Sequence, residues 1–145
     1  MSSADALYQE GIVRHARAGR GAGHLDDVDA TVRVDNPLCG DRVDLDLKLR
    51  AGRIDAVAHR VKGCLICQAT ASVISDAAPG EDRAAIAAAR RAVEAMLREG
   101  AAPPPGRWKD MSAFEPVRAA RSRHDCVLLP FEALGRALAE AETGA

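Results

Sequence analysis

Three stretches of this sequence alternate apolar and polar residues, and several others repeat apolar residues at helical intervals. In residues 28–34 (VDATVRV) and 43–49 (VDLDLKL) every second side chain is apolar, the period of a strand with one buried face. Val43, Leu45, Leu47 and Leu49 point one way, and Asp44, Asp46 and Lys48 the other. A third run, 54–61 (IDAVAHRV), follows the short turn Ala51-Gly52-Arg53, which predicts a hairpin. The first two runs are joined by Asp35-Asn36-Pro37-Leu38-Cys39-Gly40-Asp41, where Asn-Pro and Cys-Gly-Asp read as a tight loop.

The helical segments flank these strands. Residues 5–18 place Leu7, Ile12 and Val13 on one face with Asp5 as a cap, and the glycines of 19–24 (GRGAGH) end the helix. Residues 65–78 carry Ile66, Ala69, Val73, Ile74 and Ala77 at helical spacing up to Pro79-Gly80. Asp82 caps an alanine-rich helix to about Glu99, with Ile86, Val93 and Leu97 on its apolar side. Residues 100–106 (GAAPPPG) cannot continue it. A short helix is predicted near Asp110 and a final one over 127–142, with Pro130 in its first turn. This order predicts an α+β fold, a small antiparallel β-sheet of about three strands packed against several helices. At 145 residues it makes a single domain, 1–145.

Composition narrows the function. Hydrophobic residues at 48% and charged residues at 28% exclude a disordered polyelectrolyte. Twenty Lys and Arg against 21 Asp and Glu leave a net charge of −1, so there is no basic field for nucleic acid or an anionic membrane. Aromatics at 3% offer no base-stacking platform. No apolar run approaches the roughly 20 residues of a membrane span. Met1-Ser2-Ser3-Ala4-Asp5 lacks the pattern of an export signal. The expectation is therefore a cytoplasmic protein in a reducing compartment, whose cysteines do thiol or metal chemistry.

Three of the four cysteines fall at element boundaries: Cys39 in the interstrand loop, and Cys64 and Cys126 at helix starts. A helix N-terminus favours thiolate, the form that binds metal or attacks sulfur. With Asp41 two residues after Cys39, convergence of these segments would give a Cys₃Asp site suited to zinc or to iron in a sulfide cluster. Spacing alone leaves two alternatives open. Cys64-x-x-Cys67 could be a redox pair, and the cysteines could be small core residues. His15 reads as a surface or packing residue and His59 as a structural one, Trp108 and Phe114 as packing groups under the proline loop, and Arg90 and Arg91 as a solvated face.

Read together, Asn36-Pro37-Leu38-Cys39-Gly40-Asp41, Gly63-Cys64 and Arg123-His124-Asp125-Cys126 resemble the U-type iron–sulfur cluster assembly scaffolds: IscU, the NifU N-terminal domain and SufU. Leu7-Tyr8, Ile12, His15, Arg20 and Gly23 also match the family's N-terminal helix and loop. The long interval from Cys64 to Cys126, with its inserted helix and proline-rich loop at about 80–106, is similar to SufU. Asp125 stands where IscU members place His. Gly19-Arg20-Gly21 replaces the family's Pro-Arg-Asn, and Cys67 is an addition to its three-cysteine pattern.

The resemblance implies the same α+β fold, the SufE/IscU-like one, and a zinc-bound sulfur acceptor that takes persulfide sulfur from a pyridoxal-phosphate-dependent cysteine desulfurase of the SufS kind. It passes that sulfur to downstream iron–sulfur assembly proteins or apo-proteins. In this reading Cys39, Asp41, Cys64 and Cys126 are the Zn²⁺ ligands, and Cys39 is the acceptor, freed when a desulfurase histidine takes its place. Gly40 lets the loop turn sharply, Arg123 and His124 support the ligands from behind, and Cys67 is a candidate relay thiol. Such a protein is a sulfurtransferase-like acceptor or a non-enzymatic scaffold. The alternative on the same ligands is assembly and transfer of a [2Fe–2S] cluster. A CxxC thiol oxidoreductase is the alternative of another class.

Overall fold

The structure is a computed structural model that describes residues 10–38 and 40–143. Its α1 is Glu10–Ala18, and Asp5, Leu7 and Tyr8 lie outside the described residues. Three strands follow: β1 Ala30–Asn36, β2 Asp41–Arg50 and β3 Arg53–Lys62. They form one antiparallel sheet in the order β1-β2-β3. Asn36 pairs with Asp41 at the last rung between β1 and β2, and the Gly40 N–H donates back to Asn36 O. Helices α2 Leu65–Ala77 and α3 Arg83–Glu99 come next, then 3-10 turns over Gly106–Ala119 and Arg121–Arg123, and α4 His124–Thr143.

The alternation seen in the sequence sets the buried face of the sheet. Val43, Leu45 and Leu47 are sealed from solvent and join Val34, Ile54 and Val57 in a single cluster with residues of the helices. Helix α4 lies across β1 and β2, α2 packs between α1 and α4, and α3 packs on α4 and the 3-10 segment. Asp82 caps α3, its Oδ1 accepting the Ala85 N–H at 2.8 Å.

Two boundaries differ from expectation. The last helix begins at His124 rather than 127, because the buried His124 ring ties its first turn to the preceding segment. Where a short helix was expected near Asp110, 14 residues form 3-10 turns from Gly106. Trp108, Met111, Phe114 and Val117 recur every third residue and all are buried. Three residues per turn is the 3-10 repeat, so this spacing keeps one face inward. Trp108 and Phe114 are packing groups, and Trp108 meets Phe131 with ring centroids 5.5 Å apart.

Candidate metal centre

Asp41 opens β2, Cys64 is the residue before α2, and Cys126 lies in the first turn of α4. The hairpin returns β3 beside the start of β2, which brings Cys64 to Asp41, and α4 crosses β1 and β2 with Cys126 on its inner side. Ligand atoms of Asp41, Cys64 and Cys126 all lie within 4.8 Å of one another. Asp41 and Cys126 are buried, and Cys64 is half-buried.

The Asp41 carboxylate is held by the backbone. Its Oδ1 accepts the Cys64 N–H at 2.9 Å, and its Oδ2 is 3.5 Å from the Cys64 Sγ, which donates while it carries a proton. Cys64 and Cys126 are free thiols. The Cys126 thiol, donating toward Cys64, holds the Cys64 pKa down to about 7. Burial opposes this, the Cys67 N–H at the start of α2 assists, and the nearby Asp41 charge opposes. Cys126 is pushed up, first by giving its proton toward Cys64 and then by burial and the Asp41 charge. The pair thus shares a proton, with the thiolate on the more accessible sulfur.

This donor set fits a metal. Two soft sulfurs and one carboxylate oxygen converge, and one sulfur ionises near neutral pH. Tetrahedral sulfur donors at about 2.3 Å from zinc stand roughly 3.8 Å from each other, a modest contraction from the 4.8 Å limit seen here.

The other expected site residues are distributed as follows. Cys39 lies outside the described residues. Gly40, next to it, has φ +77°, a left-handed conformation that favours glycine, and its N–H donates to Asn36 O at 2.8 Å. Arg123 is half-buried in the 3-10 turn one turn before Cys126. The Nε2 of His124 reaches the carbonyls of Val117 at 3.2 Å and Arg118 at 3.0 Å, so the ring braces the chain ahead of Cys126. Cys67 is wholly buried in the first turn of α2 and is not one of the three clustered residues.

One further neighbour lacked a readable reason in the sequence. A side chain on Gly63 would collide with the Asp41 carboxylate. The pair Gly63-Cys64 was visible as a motif, but the contact that requires the glycine is between elements.

Residues 7–139 match the NifU-like N-terminal domain. The chain belongs to that family. This NifU-type domain is 29% identical over 140 residues to the zinc-dependent sulfurtransferase SufU of Bacillus subtilis, covering 97% of this chain and 95% of that one. It is 29% identical over 132 residues to the iron–sulfur cluster assembly scaffold protein IscU of Thermotoga maritima, covering 91% and 92%. The crystal structure of the N-terminal part of a NifU-like protein from Brucella abortus superposes with a TM-score of 0.92 at 37% identity, over 99% of this chain and all of that one. The α+β fold of the NifU-type domain is thereby shared with a solved relative. No helix among the described residues is long and apolar enough to cross a membrane.

Proposed function

We propose that this NifU-type domain is an iron–sulfur cluster assembly protein of the IscU/SufU type that works as a zinc-bound sulfur acceptor for a cysteine desulfurase. The observation that carries the reading is the convergence of Asp41, Cys64 and Cys126 within 4.8 Å. The near-complete alignment with a zinc-dependent sulfurtransferase favours zinc.

Asp41, Cys64 and Cys126, with Cys39 from the adjoining loop, hold the metal. Zinc has no redox chemistry and stabilises thiolate, so it keeps a nucleophile available without oxidising it. Three thiolates and one carboxylate around a divalent ion leave a formal charge of about −2, which Arg123 offsets from the turn before Cys126. Sulfur transfer is thiol exchange. The Cys39 thiolate attacks the outer sulfur of the desulfurase persulfide. The old S–S bond breaks, the desulfurase cysteine leaves as thiolate, and a new S–S bond remains on Cys39, with no net oxidation. Gly40 gives that loop its sharp turn.

Cys64 and Cys67 could in principle form a redox pair, but the complete burial of Cys67 and the grouping of Cys64 with Asp41 and Cys126 favour the metal reading. The second reading, assembly of a [2Fe–2S] cluster on the same ligands, draws on the similarity to scaffold proteins. It predicts a brown protein where zinc gives a colourless one. The test of sulfur acceptance is to mix the chain with a cysteine desulfurase and cysteine, then locate added sulfur by mass spectrometry. One sulfur on Cys39, absent in Cys39→Ala and retained in Cys67→Ala, is expected. A full load on Cys39→Ala refutes the assignment.

A further inference from the structure

We infer that Gly63 is the positioning residue that makes Asp41 a ligand, because the space left by its missing side chain is the space the Asp41 carboxylate occupies. This rests on the metal-site reading above and adds a determinant of its ligand set.

The steric observation is specific. The three atoms nearest to a Cβ built on Gly63 all belong to Asp41: Oδ1, Cγ at 2.7 Å and Cβ at 3.0 Å. Real Cβ atoms do not approach so closely, so either the added methyl or the carboxylate must move. Two other reasons for a glycine are absent. Gly63 is not among the residues with positive φ, so an L-residue fits its backbone. It is solvent-exposed, so no packed core stands in the way.

The carboxylate has little freedom to yield. Asp41 is 2% exposed, and its Oδ1 takes the N–H of Cys64, the residue after Gly63. That bond orients Oδ2 toward the Cys64 sulfur and the Cys126 sulfur beyond it. A side chain at 63 displaces Oδ1 from the Cys64 N–H and removes Oδ2 from the cluster. Alanine at 63 therefore acts on the metal through Asp41. The resulting site has its thiols intact and lacks the carboxylate, the same donor set as Asp41→Ala.

The experiment measures Co²⁺ affinity and the visible spectrum of the Co²⁺-loaded chain in wild type, Gly63→Ala, Asp41→Ala and the double variant. Loss of an orienting contact at a metal site typically weakens binding about 10- to 100-fold. Gly63→Ala and Asp41→Ala are expected to weaken Co²⁺ by similar factors within that range and to share one altered ligand-field spectrum. The double variant should be no weaker than either single. A Gly63→Ala chain with wild-type affinity and spectrum overturns the inference, as do losses that multiply in the double variant. Should Gly63→Ala alone fail to fold, recovery of folding in Gly63→Ala/Asp41→Gly supports the steric link and continued failure refutes it. A wild-type chain that binds no Co²⁺ sinks the metal reading itself, an outcome distinct from equal binding by wild type and Gly63→Ala.

Discussion

Cys64 and Cys126 divide one proton unequally: the half-buried Cys64 holds its pKa at about 7, while the fully buried Cys126 is driven upward by the same contact. The metal-free protein should therefore show one reactive thiol of these two. Iodoacetamide labelling of the chelator-treated chain, read peptide by peptide, should give a Cys64 rate that rises to half its maximum near pH 7. Cys126 should stay unmodified across the same range. Equal labelling of both sulfurs, or a Cys64 that ionises no more readily than a free thiol, contradicts the shared proton. Zinc loading should protect Cys64 over the pH range in which the metal stays bound.

Gly40 gives a prediction about the loop. A Cβ there would meet nothing within 4 Å, so the whole cost of a substitution is backbone strain at φ +77°. Gly40→Ala should lower unfolding stability by about 1 kcal/mol, read as a lower urea midpoint with an unchanged slope. Zinc affinity should fall with it, since Asp41 is the next residue. An unchanged midpoint shows that the turn does not depend on glycine.

Acid should loosen the segment after α1. His15 Nδ1 accepts from the Arg20 guanidinium at 2.8 Å, and His59 Nε2 donates to Arg20 O at 2.8 Å. Both imidazoles are buried and neutral, and burial leads the causes that lower each pKa below the ordinary 6.5. Beyond burial, His15 faces Arg20, Asp110, Arg14 and Asp76, and His59 faces Arg60. The unfolded chain binds protons first, so the stability from keeping these rings neutral is fully present above pH 6.5 and is lost as pH falls toward the folded pKa values. The urea midpoint should drop between pH 7 and pH 5, and His59→Gln should flatten that drop. A wild-type midpoint constant over the interval refutes this account.

The sheet was legible because its inward face needs every second residue apolar, and Val43, Leu45 and Leu47 obey that rule on a strand buried on one side. The site was legible in part. Cysteines at element boundaries marked Cys64 and Cys126, and the Cys-Gly-Asp loop marked Asp41. What could not be read was the contact between elements that fixes them. Gly63 looks like an ordinary punctuating glycine until β2 and the end of β3 are set side by side. His15 and His59 are polar residues whose burial depends on partners supplied by Arg20, its guanidinium for His15 and its carbonyl for His59. The 3-10 segment carried its own signal, since Trp108, Met111, Phe114 and Val117 have a period of three. Long 3-10 runs are uncommon, and a short helix was the natural expectation for that spacing.

Metal content tests the central claim most directly. Zinc should be measured in the purified wild-type chain and in its Cys64→Ala, Cys126→Ala and Cys67→Ala variants, with X-ray absorption at the zinc edge to count sulfur neighbours. One zinc per chain with mainly sulfur ligation is predicted for wild type and Cys67→Ala, with loss of the metal in the other two. Full zinc occupancy in Cys64→Ala and Cys126→Ala, or a wild-type chain that holds none, would contradict it.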